Sequence, residues 1–381
     1  MRIGIVLYPT FGGSGVLATE LGKALSKYGN EIHFISYSQP ARLDYFMENV
    51  FFHEVTIPQY PLFEHAPYET ALAGKIVEIV KSNQLEVLHV HYAIPHASAA
   101  LMAKQILAEQ GMKIPVITTL HGTDITLVGR EASYEPVVSW SINNSDCVTA
   151  VSSSLKEDTI KHFPISREIQ VIPNFIDFER FNKKPREHFK KAIAPNAEKI
   201  IVHTSNFRKV KRVGDVIRVF HKVQQIIPSR LLLIGDGPER SNLEKVCREL
   251  QVCEKVTFLG KQEAIEEILS VCDLFILPSE TESFGLSALE AMACEVPVIA
   301  SNVGGLPEVV IHDKTGYLSE VGDIDKMSEY AIDLLKDENK LNLFRKNSML
   351  QAHQFDLQNI LKKYMEVYET GIEKAREFNR A

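Results

Sequence analysis

Four short segments of this 381-residue chain carry side chains whose types and spacing suit chemistry on an anionic, hydroxyl-rich ligand. The densest is Glu282-Ser283-Phe284-Gly285-Leu286-Ser287-Ala288-Leu289-Glu290, shortly after the apolar run Leu274-Phe275-Ile276-Leu277. The pattern predicts a helix starting near 284–286, whose unpaired N–H groups and positive end could hold an anion. Glu282 then stands just before the helix, and Glu290 lies about a turn and a half inside it. On an otherwise apolar helix Glu290 needs a partner, and a ribose diol suits a carboxylate acceptor. The structural alternatives are N-cap chemistry for Glu282 and an exposed edge for Glu290. The second segment, Arg208-Lys209-Val210-Lys211-Arg212, follows a strand-like run at 200–204 and places four cations in five residues. Cations at that separation can clamp two phosphate groups, although a charge run can also be a solvated face.

The third segment is Gly12-Gly13-Ser14-Gly15, after the N-terminal apolar run. Glycines there let backbone N–H groups approach an anion at a helix start. Gly13-Ser14-Gly15-Val16-Leu17-Ala18 formally matches the dinucleotide fingerprint and raises an NAD-dependent dehydrogenase. Residues 8–12 hold Gly13 too far from the strand for that turn, and Ser36-Tyr37-Ser38 offers no acid for a ribose. The fourth segment is Thr118-Thr119-Leu120-His121-Gly122-Thr123-Asp124, where His121 leaves a strand beside a glycine. His121 can reach a ligand from there, or the segment is a turn in which Thr123 or Asp124 caps the next helix. His89, His91 and His96 lie close by in sequence, but no carboxylate or cysteine completes a metal set at usual spacing. They read as packing or pocket-lining groups. Asp323-Ile324-Asp325 is formally a metal motif, but after Gly322 it reads as the cap of a helix. No metal is expected.

Parallel sheets can place such loops. Apolar, β-branched runs at 3–7, 32–36, 87–91, 116–120, 147–151 and 169–172 alternate with amphipathic segments. The rhythm breaks near 174–184 and restarts with runs at 200–204, 231–234, 256–259, 274–277 and 298–300. After Gly316-Tyr317-Leu318 the chain reads as wholly helical. Alternation of this kind predicts two Rossmann-like, doubly wound α/β domains with parallel sheets, at 1–173 and 174–359. A terminal helix near 360–381 is expected to pack back on the first domain. Ligands in such sheets bind beyond the strands' carboxyl ends, so a cleft faced by both domains is the expected site.

Composition narrows the class. The chain has 42 Lys plus Arg against 49 Asp plus Glu, a formal charge of -7, so non-specific nucleic-acid or anionic-membrane binding is disfavoured. Neither a signal peptide nor a membrane-spanning run is evident. The aromatic stretch at 58–67 carries no lysine or arginine to support a membrane role. Five cysteines without a C-x-x-C pair fit a reduced, cytoplasmic protein. A homo-oligomer is compatible with the chain.

Taken in order, Gly12-Gly13-Ser14-Gly15, Val171-Ile172-Pro173-Asn174-Phe175-Ile176-Asp177, the basic loop, and Glu282 to Glu290 with Phe284-Gly285-Leu286 resemble the family 4 retaining glycosyltransferases, which have the GT-B fold. The resemblance covers essentially the whole chain. It implies a nucleotide-sugar donor, with Lys211 and Arg208 on the diphosphate, helped by the N–H groups near Phe284, Gly285 and Leu286. It also implies Glu282 on the sugar hydroxyls, Glu290 on the ribose, segment 256–262 on the base, Gly13 approaching the diphosphate and His121 touching the sugar. One position departs from the family: Ser205-Asn206 stands where a glycine-arginine pair is usual, which leaves Arg208 and Lys211 to carry the phosphate contacts. More narrowly, the chain is similar to members of the bacillithiol pathway that use UDP-GlcNAc as donor and L-malate as acceptor, without a cofactor. For that acceptor Tyr92, Thr119 and Arg130 are the candidate contacts. A family member with another acceptor, a GT-B-like sugar-nucleotide epimerase and a non-catalytic nucleotide-sugar-binding module are the rivals.

Overall fold

The computed structural model describes the chain except residues 11, 45, 58–64, 128, 130, 185 and 378–381, and the side chains of 127 and 377. It divides into two compact units, Met1–Asn174 with Gln358–Ala381, and Phe175–Leu357.

The first unit holds a seven-stranded sheet of β1 (Arg2–Val6), β2 (Glu31–Ser36), β3 (Val50–Glu54), β4 (Val87–His91), β5 (Val116–Leu120), β6 (Cys147–Ala150) and β7 (Ile169–Val171). Its order is β3-β2-β1-β4-β5-β6-β7, and every pairing is parallel. The second unit holds β8 (Lys199–Thr204), β9 (Ser229–Ile234), β10 (Val256–Gly260), β11 (Leu274–Leu277), β12 (Val298–Ser301) and β13 (Gly316–Ser319), in the order β10-β9-β8-β11-β12-β13. Because parallel strands cannot be joined by tight turns, helices fill the crossovers, except that from β2 to β3, which carries none among the described residues. Strand order reverses between β1 and β4 in one sheet and between β8 and β11 in the other. Loops leaving those four strands flank the two switch points, where α/β sheets bind ligands.

Central strands are buried on both faces: β4, β5 and β11 have every residue buried, and β11 reads as a continuous apolar run, while β4 and β5 carry buried histidines and threonines. Helix Val213–Gln224 shows the complementary pattern. Val213, Val216, Ile217, Phe220 and Val223 form one buried stripe against the second sheet's core. Removing the fully buried Phe220 ring would cost about 3–5 kcal/mol.

Two strands and several helices escaped the sequence reading. In edge strand β3, Phe51 points outward at 46% exposure and His53 pairs with His33 at 2.9 Å, so apolar alternation is lost. β13 begins with Gly316, a weak strand former. A Cβ there would sit 1.9 Å from the Val298 carbonyl oxygen, so close packing on β12 demands glycine. The segment after Gly316 is therefore a strand first and helical only from Ile324. Helices Glu135–Asn144, Ser153–His162 and Glu187–Ile193 lie between strands that sequence reasoning did place. Helix Leu357–Glu377 lies along the first unit, where the fully buried Tyr368 hydroxyl is 2.8 Å from His89 Nδ1.

Candidate functional site

In the second unit the switch point is built from the loops after β8 and β11. Just before the first loop, the fully buried His203 donates from Nδ1 to the Ile276 carbonyl at 2.8 Å. Its Nε2 therefore accepts from Ser205 Oγ at 2.8 Å, and the Phe207 N–H donates to the same hydroxyl at 3.3 Å. Burial lowers His203 to about 4, which keeps it neutral for this role. Ser205 thus ties the basic loop to the sheet. Two glycines press on the loop from the side. A Cβ on Gly235 would lie 1.8 Å from the Ser205 carbonyl oxygen, and one on Gly237 2.0 Å from that of Asn206. Sequence reasoning missed both, although Gly235-Asp236-Gly237 directly after β9 is a visible close-approach signal.

The four cations of the loop differ in availability. Arg212 is committed, with Nε on Asp215 at 2.6 Å and Nη1 on Glu280 at 3.1 Å. Arg208 and Lys209 are exposed, and the Arg208 guanidinium has no partner among the described residues. Lys211 Nζ donates to Glu282 Oε1 at 2.5 Å, and Ser279 Oγ donates to the same oxygen at 3.0 Å. Side-chain exposures of 21% for Lys211 and 12% for Glu282 leave the pair shielded but reachable. Sequence separation hides this contact, which the two adjacent strands β8 and β11 create.

Helix Leu286–Ala293 opens at Gly285, whose φ of 98° is a glycine conformation, and no side chain caps it. Ala288 and Leu289 donate back to the Gly285 carbonyl, so the N–H groups before them stand at the helix's positive end. The Phe284 ring is buried at 2% exposure against Phe355, so this residue can offer a ligand only its backbone. Glu290 is buried, at 8% exposure. A further glycine pair clamps Glu282. The Gly305 N–H donates to the Glu282 carbonyl at 2.9 Å, and a Cβ on Gly304 would lie 1.9 Å from that oxygen. Asn302-Val303-Gly304-Gly305 after β12 was the overlooked signal.

In the first unit, helix Gly13–Lys27 starts at an extended Gly12 with no side-chain cap, and Gly13 is exposed. Gly15 is required sterically, because a Cβ would sit 2.5 Å from the Tyr8 carbonyl oxygen. Ser14 Oγ and Tyr92 Oη are 2.5 Å apart. Tyr92, at the end of β4, has a φ of 86°, a strained value for a bulky residue of the kind found at ligand sites. Its ring lies 5.1 Å from the His121 ring and 5.3 Å from that of Tyr8. Tyr8 is pushed up to about 12, first by burial and then by its acidic and phenolic neighbours.

His121 sits at the edge of a buried histidine cluster. Its Nε2 is 2.8 Å from His91 Nδ1, and His89 and His96 are fully buried beside them. Burial lowers His89 and His121 to about 3, His96 to about 4, and His91 well below its ordinary value. All four rings are neutral at physiological pH. Asp124 does not cap a helix by side chain. Instead its carboxylate joins two loops, accepting from the Ala93 N–H at 2.8 Å and the Gly122 N–H at 3.1 Å, while burial raises it to about 6.

One acceptor-side expectation changes, and another is left untested. Thr119 is fully buried, and its hydroxyl lies 2.7 Å from both His89 Nε2 and Thr149 Oγ1, so it supports His89 instead of facing a ligand. Arg130 lies outside the described residues. Asp323 Oδ1 accepts from the Lys326 N–H at 2.9 Å and caps helix Ile324–Lys336, while Asp325 pairs with Lys222. Among the described residues no group of three His, Cys, Asp or Glu is placed to hold a metal ion, and no helix is long and apolar enough to cross a membrane.

Comparison with known proteins matches residues 11–180 to the model of Glycosyltransferase Family 4 and residues 184–351 to that of Glycosyl transferases group 1. N-acetyl-alpha-D-glucosaminyl L-malate synthase of Bacillus anthracis is 46% identical over 97% of this chain and 96% of its own. Among solved structures, Anabaena HepE in complex with UDP and glucose superposes with a TM-score of 0.81 at 20% identity, covering 97% of this chain and 99% of that one. Sucrose-phosphate synthase from Thermosynechococcus elongatus gives 0.79 at 20% identity over the whole of both chains. At that identity the likeness is one of fold.

Proposed function

Because this chain belongs to the family 4 glycosyltransferases of GT-B fold, we propose that it moves N-acetylglucosamine from UDP-GlcNAc to the hydroxyl of L-malate. In this reading it retains the anomeric configuration, needs no divalent metal and performs the first step of bacillithiol assembly. The observation that carries the choice of substrates is the near full-length likeness to the malate synthase.

Breaking the bond between the anomeric carbon and the diphosphate puts negative charge on the leaving group, so catalysis needs donors aimed there. Lys211, Arg208 and the N–H groups of Gly285 and Leu286 supply them. An ammonium has three donors, so Lys211 can hold Glu282 and a phosphate oxygen together. Glu282 accepts from the sugar hydroxyls and Glu290 from the ribose. In the first unit, Gly13 is the candidate for a further diphosphate N–H, neutral His121 for a sugar hydroxyl and Tyr92 for malate. The departing phosphate takes the malate hydroxyl proton on the face from which the hydroxyl attacks, which yields retention. No separate pair of carboxylates is needed.

Incubation with UDP-GlcNAc should release UDP quickly only when L-malate is present. The product should have the mass of the N-acetylglucosaminyl malate and the small anomeric coupling of an α linkage. Chelator-treated protein should keep its rate. Equal UDP release without malate, a β-linked product, or activity restored only by magnesium or manganese would each contradict this reading.

A further inference from the structure

The contact between His91 and His121 has a direction that the surroundings determine. The two nitrogens, His91 Nδ1 and His121 Nε2, are 2.8 Å apart and the rings stack at 5.0 Å. Both rings are neutral, so one nitrogen carries the proton and the other a lone pair. His91 is 3% exposed, and its other nitrogen, Nε2, has no hydrogen-bond partner among the described residues. If His91 accepted at Nδ1, its proton would sit on Nε2 as an orphaned N–H in the interior. If it donates from Nδ1, only a lone pair goes unmatched. Buried groups tolerate an unmatched acceptor more often than an unmatched donor.

His96 shows the same solution with no ambiguity. Its Nδ1 lies 2.6 Å from the His91 carbonyl oxygen, which can only accept, so the proton is on Nδ1. The unpartnered atom is again a bare Nε2. His91 is held in place by this bond to its carbonyl and by the His89 ring at 4.4 Å. His89 is in turn fixed between Tyr368 Oη at 2.8 Å and Thr119 Oγ1 at 2.7 Å.

We infer that His91 is a positioning residue that donates from Nδ1 to His121 Nε2 and so locks His121 in its Nδ1–H tautomer. His121, the only one of the four rings that is not fully enclosed, then presents a neutral donor of fixed polarity to its ligand. The tautomer follows from the packing of two neutral rings and needs no substrate. Its use in turnover rests on the proposed transfer, with an oxygen of the transferred sugar as the acceptor.

The test is a long-range nitrogen–proton correlation spectrum of the full chain labelled with 15N-histidine, with His121 signals identified by their loss in His121→Gln. Without substrate, His121 should show a protonated Nδ1 and a bare Nε2. His91→Met removes the donor and offers only a weak sulfur acceptor in its place, and should shift His121 toward Nε2–H. His91→Asn, whose side-chain amide stands near the former Nδ1, should restore the original pattern. In malate transfer, His91→Met should lower kcat roughly 10- to 100-fold, as loss of an imidazole-orienting partner does, with KM for UDP-GlcNAc nearly unchanged, and His91→Asn should recover most of the rate. An Nε2–H tautomer in the wild-type protein would overturn the inference, and so would an unchanged tautomer in folded His91→Met. The wild-type spectrum needs neither a variant nor a substrate, so failure of malate transfer would leave the tautomer result standing. A shifted tautomer with unchanged kcat would remove His91 from the account of turnover.

Discussion

The loops at the two switch points solve different electrostatic problems on sheets of the same winding. In the second unit the candidate groups are charged and reachable by water: Lys211 on Glu282, Arg212 on Asp215 and Glu280, and Arg208, unpartnered among the described residues. In the first unit they are neutral and mostly buried: His89, His91, His96 and His121, with the hydroxyls of Ser14, Tyr92, Thr119 and Tyr368 around them. Burying an ion costs several kcal/mol, so charge that must meet a diphosphate stays where water can reach it. A neutral imidazole can be buried if its hydrogen bonds are arranged, and it then gains direction at little cost. On the proposed reading, the half assigned to the donor supplies charge and the half assigned to the acceptor supplies orientation.

Acid should separate the halves most strongly. Histidines held below their ordinary value in the folded chain bind protons in the unfolded one, so stability is present above about pH 6.5 and is lost as pH falls toward their folded values of about 3 to 4. Each fully buried ring costs up to about 1.4 kcal/mol per pH unit across that window. Asp124, raised to about 6, pulls the other way between about pH 6 and 4 and offsets one ring. His203 is the second unit's counterpart among the described residues. Hydrogen exchange during acid titration should therefore show the first unit opening at higher pH than the second. Simultaneous opening, or the reverse order, would break the comparison.

Smaller effects sharpen it within the donor half. Glu282→Ala should lower kcat by roughly 10- to 100-fold, the equivalent of one hydrogen bond to a charged group that tightens as the sugar ring flattens. Glu290→Ala removes a contact alike in ground and transition states, so steady-state kinetics should show KM for the donor up by about tenfold with kcat nearly constant. If both variants changed KM alone, Glu282 would have no special role in the chemical step.

Much of this was legible in the sequence, for physical reasons that also mark its limits. Doubly buried strands such as β11 announce themselves as unbroken apolar runs, and the loops after them could be found by position alone. Edge strand β3 and glycine-led β13 carry no such run and were invisible. Glu282 and Lys211 were legible as residue types beside predicted strand ends, but their contact is a product of strand order. Thr119 was misjudged because its place at a strand end says nothing about which way its hydroxyl turns. It turns inward to His89. The Gly235–Gly237 and Gly304–Gly305 pairs were overlooked because their role is the backbone they touch, which only folding brings near.

The central claim, that the second unit stabilises charge developing on the leaving diphosphate, is tested most directly by the rate of Lys211→Ala. Losing one donor to a developing anion should lower kcat by roughly 10²–10³, or about 2.7–4 kcal/mol. The melting temperature should move little, because a partly exposed ion pair contributes at most about 1 kcal/mol. A folded Lys211→Ala protein that turns over UDP-GlcNAc and L-malate within about threefold of the parent rate would contradict the account.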